Sequence, residues 1–265
     1  MATSLLSDRR STGAGSHLSV RYSAPAGSPG SAVSAPCILY LHGFGSHQAG
    51  EKAEFFRQQA LAAGLAFCSF DFEGHGASGG TMRELTLTRN LDNVREVAAW
   101  LESRGHPRVC LLGSSMGGGT AMWFSALHPE KVIAGLHLAP ALALETALLT
   151  WAGPERASRW QESGVLHFQD DLISCDLGWE LIEDLRTYDV HDLLTRYRTP
   201  TLLLQGRLDT TVPWRGVVDF ASRCPYRDID VHLFADGDHR LTDRKARLWD
   251  LMMEFLRGRR LHPTP

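Results

Sequence analysis

The stretch that most constrains this chain is Val109-Cys110-Leu111-Leu112-Gly113-Ser114-Ser115-Met116-Gly117. An apolar, partly β-branched run leads into Gly-x-Ser-x-Gly, and the residues that follow, Gly118 to Leu127, are small and then apolar, as in a buried helix. Strand, sharp turn and helix around this pattern predict a nucleophile elbow. Such a turn holds the serine backbone in a strained conformation, and a side chain two residues to either side would clash. Gly113 and Gly117 remove that clash, so the Ser115 hydroxyl stands clear above the sheet and becomes the candidate nucleophile. The alternative is a chance match in a glycine-containing loop, and the strand before and helix after argue against it.

A chain of 265 residues holds one large domain, or one domain with an inserted lobe. The formal net charge is -3 and no long Lys or Arg run occurs, which argues against nucleic acid or an anionic membrane as the main partner. No apolar segment is long enough to span a bilayer, so no stable membrane insertion is expected. Residues 1–16 have only Leu5-Leu6 where a signal peptide needs an apolar core; Arg9 and Arg10 among Ser and Thr give a faint organellar-transit flavour. The expectation is a disordered lead-in on a cytoplasmic protein. The cysteines are odd in number and widely spaced, and Cys37, Cys68 and Cys110 fall in expected strands, so buried free thiols are expected rather than disulfides. No CxxC, HExxH or tight His/Cys cluster suggests a metal, and no cofactor is expected. Gly117-Gly118-Gly119 lacks the lysine and spacing of a phosphate-binding loop.

Apolar β-rich runs alternate with helical ones. The expected strands are His17–Tyr22, Cys37–Leu41, Ala66–Phe70, Arg108–Leu112, Val132–Leu138, Thr201–Gln205 and Ile229–Phe234. The middle ones are almost wholly apolar, as in strands covered on both faces of a parallel sheet. Residues 23–35, rich in Ala, Gly, Pro and Ser, read as a loop. Leu87, Leu91, Val94, Ala98 and Leu101 form one helical stripe, and Leu248, Leu251, Met252 and Phe255 another. The pattern predicts an α/β fold with a doubly wound, mostly parallel sheet. Between 141 and 198 no clear strand shows, only helical segments and the aromatics Trp151, Trp160, Phe168 and Trp179. A helical cap over the carboxyl edge of the sheet is expected there, since ligands of open α/β sheets bind at that edge. Its aromatics serve the ligand, the cap's own core, or both.

A serine hydroxyl needs a base to take its proton, and the base needs a carboxylate to fix its tautomer. In this kind of fold the chain order is Ser, Asp or Glu, His. Asp209, in Gly206-Arg207-Leu208-Asp209-Thr210-Thr211-Val212-Pro213 after the Thr201–Gln205 strand, is the candidate acid, with Glu145 as second choice. A turn aspartate capping the helix near Pro213 is the competing role. His239, in Ala235-Asp236-Gly237-Asp238-His239-Arg240 after the last strand, is the candidate base. Asp236 and Asp238 lie too close along the chain to orient it, though they could tune its charge. An oxyanion needs backbone N–H donors: Met116 supplies one and Phe44, in His42-Gly43-Phe44-Gly45, the second. Gly43 lets that backbone approach the substrate, and Phe44 could also line the acyl pocket. His42 is expected to brace its loop. His75, in Asp71-Phe72-Glu73-Gly74-His75-Gly76, precedes the serine in the chain and is expected to pack beneath the site.

With these motifs in the order Leu41-His42-Gly43-Phe44-Gly45, Asp71 to Ser78, Gly113 to Gly117, Gly206 to Pro213 and Asp238-His239, the chain resembles the α/β-hydrolase superfamily over most of residues 17–258. The first two motifs are similar to those of cinnamoyl and feruloyl esterases. Residues 204–241 resemble the branch with an acyl-protein thioesterase and acyl-glucuronide esterase. The resemblance implies a core of residues 17–140 and 199–260, a short helical cap at 141–198 inserted after the sixth core strand, and hydrolysis of carboxylic esters or thioesters through an acyl-enzyme. The expected partner is a small-molecule acyl ester or thioester. A serine peptidase and a non-catalytic ligand-binding member are the remaining readings. Serine at position 115 sets aside the dehalogenases and epoxide hydrolases of this fold, which use aspartate.

Overall fold

In the computed structural model of the chain, residues 4–11, 17–25, 36–170 and 173–259 are described. The elements in order are β1 (Ser4–Ser11), β2 (His17–Ala24), β3 (Cys37–Leu41), α1 (Glu51–Ala62), β4 (Ala66–Phe70), α2 (Leu87–Glu102), β5 (Val109–Ser114), α3 (Met116–Leu127) and β6 (Val132–Leu138). Then come α4 (Leu144–Ser163), β7 (Val165–Gln169), β8 (Ser174–Gly178), α5 (Glu180–Leu185) and α6 (Val190–Arg196). The chain closes with β9 (Thr201–Gly206), α7 (Trp214–Arg223), β10 (Ile229–Phe234) and α8 (Lys245–Gly258).

The main sheet has eight strands in the order β1-β2-β4-β3-β5-β6-β9-β10. Strands β1 and β2 are antiparallel, as are β2 and β4; every pairing from β4 onward is parallel. Strands β3, β4, β5 and β9 are buried along their whole length, which explains their mostly apolar sequence. Alternate residues feed two cores. Leu39, Leu41, Cys68 and Leu111 pack with α2, α3 and α7, whereas Ile38, Tyr40, Phe67 and Leu112 pack with α1 and α8. Helix α2 starts at Thr86, whose hydroxyl accepts from Arg89 N–H, and buries the stripe Leu87, Leu91, Val94, Ala98 and Leu101. The cysteines are free thiols, with Cys37, Cys68 and Cys110 buried. Among the described residues no helix is long and apolar enough to cross a membrane.

Two expectations are corrected. Residues 4–11, expected in a disordered lead-in, form an edge strand paired along its length with β2; the rest of 1–16 lies outside the described residues. Ser, Asp and Arg give that segment no apolar pattern, and the free edge of β2 supplies the pairing. Segment 141–198, expected to be all helical, contains the β7–β8 hairpin. Its signal is the short alternation Leu166, Phe168 and then Cys175, Leu177, whose residues pack against the core while His167, Gln169, Ser174 and Asp176 stay exposed. The long α4 also breaks at Gly153-Pro154, where Gly153 has φ 72°.

Candidate active site

Parallel register brings the carboxyl ends of β3, β5, β6, β9 and β10 to one edge, and each candidate residue leaves from that edge. Strand β5 ends at Ser114 and α3 starts at Met116, so Ser115 alone makes the turn, with φ 53° and ψ −118°. This conformation is costly for a non-glycine residue. It is held by the Ser115 N–H donating to Leu138 O at 2.8 Å, and by Ser115 O accepting from Gly119 N–H and Ala141 N–H, each at 3.0 Å. A Cβ at Gly117 would run into the carbonyl oxygens of Leu41 and His42, and one at Gly113 into the Gly117 and Gly118 backbone. The two glycines of the motif are thus required by the close approach of backbone to backbone.

His239 stands between the other two candidates. Its Nε2 lies 3.0 Å from Ser115 Oγ and its Nδ1 2.7 Å from Asp209 Oδ2. A carboxylate only accepts, so Nδ1 carries the proton and Nε2 is left to accept from the serine hydroxyl. The Asp209 side chain is fully buried. Oδ1 accepts from Thr211 N–H at 2.9 Å and Val212 N–H at 2.7 Å, and Oδ2 also accepts from Gln205 Nε2 at 2.8 Å. Burial pushes this carboxyl up, but the bonds from His239, Val212 and Gln205 outweigh it and leave it below the ordinary aspartate value. The alternative acid, Glu145, opens α4 and pairs instead with Arg186 at 2.8 Å. Asp236 pairs with Arg244, and Asp238 accepts from Leu241 N–H.

Gly43 lies against the nucleophile, where an added Cβ would sit 3.3 Å from Ser115 Cβ. Phe44 follows it, and its ring packs edge-on against Phe168 of β7, centroids 5.2 Å apart. Met116 is the first residue of α3, so its N–H has no acceptor one turn back. His42 is fully buried and joins two loops: Nε2 accepts from Phe72 N–H at 3.1 Å, while Nδ1–H donates to Gly43 O at 2.8 Å. Burial and the neighbouring His75 push its pKa down to about 3, so it is neutral. His75 is buried against His42, Phe44 and Phe72, and burial lowers its pKa too.

Sequence reasoning missed Gln205 and Lys52. Gln205 had a signal, an amide closing the apolar run Leu202-Leu203-Leu204. Lys52 had none. Its Nζ donates to Ser114 Oγ and to Arg240 O, each at 3.0 Å, tying the residue before the nucleophile to the residue after the base. Burial, aided by Arg240, lowers its pKa to about 8. Among the described residues no three His, Cys, Asp or Glu side chains gather as metal ligands would. The arrangement can pass the Ser115 proton to the oriented imidazole of His239.

The structural matches agree on the class of fold: the chain has the α/β-hydrolase fold. Residues 34–163 match the family model described as serine aminopeptidase, S33. Among individual proteins, the mouse palmitoyl-protein thioesterase ABHD10, mitochondrial, is 27% identical over 224 residues, covering 79% of this chain and 70% of its own. The structure of mouse α/β-hydrolase domain-containing protein 10 superposes with a TM-score of 0.76 at 24% identity, covering 97% of this chain and 99% of its own. A protein from Agrobacterium vitis S4, assigned as a hydrolase, gives a TM-score of 0.82 at 24% identity over 96% of this chain and 99% of its own. Est1E from Butyrivibrio proteoclasticus, solved with ferulic acid bound, gives 0.73 at 21% over 91% and 96%. At these identities the structural likeness speaks for the fold.

Proposed function

We propose that this protein hydrolyses carboxylic esters through an acyl-enzyme on Ser115. The observation that carries the reading is the His239 ring, bonded to Ser115 Oγ on one side and to the buried Asp209 on the other. His239 Nε2 takes the serine proton as Oγ attacks the acyl carbonyl, and Asp209 stabilises the imidazolium. The Phe44 and Met116 N–H groups hold the oxyanion, each typically contributing about 100-fold or more to rate. His239 returns the proton to the leaving alkoxide, then takes one from water; the hydroxide attacks the acyl carbon, and His239 gives that proton to Ser115 Oγ as the C–O bond breaks and the acid departs. His42, Gly43, Gly113 and Gly117 hold this geometry without touching the reacting atoms.

Acyl thioesters form the second reading, favoured by the sequence relatives named as palmitoyl-protein thioesterases. The same chemistry applies with a thiolate leaving group. The test is hydrolysis of p-nitrophenyl acyl esters and acyl-coenzyme A thioesters of rising chain length, wild type beside Ser115→Ala. Turnover that disappears in the variant is expected; equal turnover in both proteins would contradict the assignment.

A further inference from the structure

Beside the elbow lies a cavity of about 340 Å³, within the size range of small-ligand sites. Met116 and Gly119, from the first turn of α3, are part of its wall, as is Ala141, whose N–H holds the Ser115 carbonyl. The wall thus includes Met116, the residue after the candidate nucleophile and the expected oxyanion donor. Much of the remaining wall is apolar, with Leu85, Leu87, Leu142 and Leu181 from both core and inserted segment.

Two groups in that wall, Asn90 and Thr120, do not fit an apolar ligand. Asn90 of α2 is only 3% exposed, lines the cavity, and its carboxamide has no hydrogen-bond partner among the described residues. Asn93, equally buried on the same helix, shows the contrast: it accepts from Glu73 N–H and donates to Glu73 Oε2, both at 3.0 Å. The charged groups of the cavity are also engaged. Glu145 pairs with Arg186, and Asp189 accepts from His191 N–H. The Thr120 hydroxyl, in the same wall, is buried without a partner among the described residues. A plain alkyl chain filling this space would seal the Asn90 amide away from water unpaired, which is unfavourable.

We propose that the cavity receives an acyl group carrying a hydrogen-bonding oxygen, a hydroxyl or carbonyl along its chain, and that Asn90 is the residue that selects it. The inference rests on the ester-hydrolase reading and narrows it to oxygenated acyl esters. A carboxamide both donates and accepts, so it satisfies either kind of oxygen. Sites built around such a bond discriminate strongly against the analogue that lacks it.

The test compares p-nitrophenyl ω-hydroxyacyl esters with alkyl esters in which methyl replaces hydroxyl, over a range of chain lengths. In wild type, the ratio of kcat/KM for hydroxy over methyl is expected to peak at one length by about tenfold or more. In Asn90→Leu the peak collapses toward unity, and in Asn90→Gln it shifts in length or shrinks. A wild-type ratio that is flat at every length, with both series hydrolysed, overturns this inference alone. A peak that persists in Asn90→Leu also overturns it. Failure of wild type to hydrolyse either series overturns the ester-hydrolase reading and this inference with it.

Discussion

Among the described residues two Ser–His–Asp arrays share the same connectivity, and they differ in burial and in the backbone that holds the serine. In the first, Ser115, His239 and Asp209 meet at the carboxyl edge of the sheet. In the second, on the β7–β8 hairpin, His167 Nδ1 lies 2.9 Å from Asp176 Oδ1 and His167 Nε2 3.3 Å from Ser174 Oγ. Cross-strand register alone produces the second, since His167 faces Asp176 and Gln169 faces Ser174. Its His and Asp side chains are 59% and 57% exposed, whereas Asp209 is fully buried and takes bonds from two backbone N–H groups and Gln205. Ser174 belongs to a regular strand, whereas Ser115 is held at positive φ against a helix start. Atom-to-atom connectivity is cheap on a protein surface; burial of the carboxylate, its backbone N–H donors and the strained turn at the serine are what separate the two.

The largest expected effect sharpens this contrast. Ser115→Ala should lower kcat for ester hydrolysis about 10⁴-fold or more, while Ser174→Ala leaves it within about twofold. Steady-state rates on one p-nitrophenyl ester check both, and comparable losses would break the comparison. Next, Asp209→Asn should cost about 10³- to 10⁴-fold by releasing the His239 tautomer, with Asp176→Asn silent in the same assay. Below these comes Lys52→Met, which unties Ser114 from Arg240. A loss of about tenfold or more in kcat with little change in KM is expected, since small misplacements of reacting groups slow the chemical step. Lys52→Arg should recover part of it.

The smallest effect concerns what burial costs. Burial holds His42 and His137 neutral, with pKa values pushed down to about 3, and neither ring nitrogen of His137 has a partner among the described residues. In the unfolded chain both protonate near their ordinary value of about 6.5. Between about pH 6.5 and 3 the unfolded state binds more protons, so stability falls as pH drops through that window, by about 1.4 kcal/mol per pH unit for each histidine. Urea titrations at pH 7, 6 and 5 should show this slope, and His137→Leu should reduce it. An unchanged slope in the variant would place the acid sensitivity elsewhere.

Much of the sheet is legible in the sequence, because the strands at its centre, covered on both faces, are mostly apolar runs. Cys37–Leu41, Ala66–Phe70, Val132–Leu138 and Ile229–Phe234 are readable to the residue. Where backbone pairing rather than side-chain pattern decides, as in Ser4–Ser11, nothing in the residues announces the strand. Helix α1 was equally silent: its buried Ala53, Phe56 and Ala60 make too thin a stripe among charged neighbours. At the site, Ser115, Asp209 and His239 are readable because each follows a strand in a glycine-containing loop. Gln205 leaves only the trace of an amide closing an apolar run, and Lys52 leaves none, because its partners, Ser114 Oγ and Arg240 O, meet it only after folding. The unpartnered Asn90 amide likewise has no sequence signature.

The most direct test of the central claim is to treat the folded protein with an alkyl fluorophosphonate and map the adduct by peptide mass spectrometry. A single adduct on Ser115, absent in Ser115→Ala and unaffected by Ser174→Ala, is the predicted result. Labelling at Ser174, or no labelling of folded wild-type protein, would contradict it.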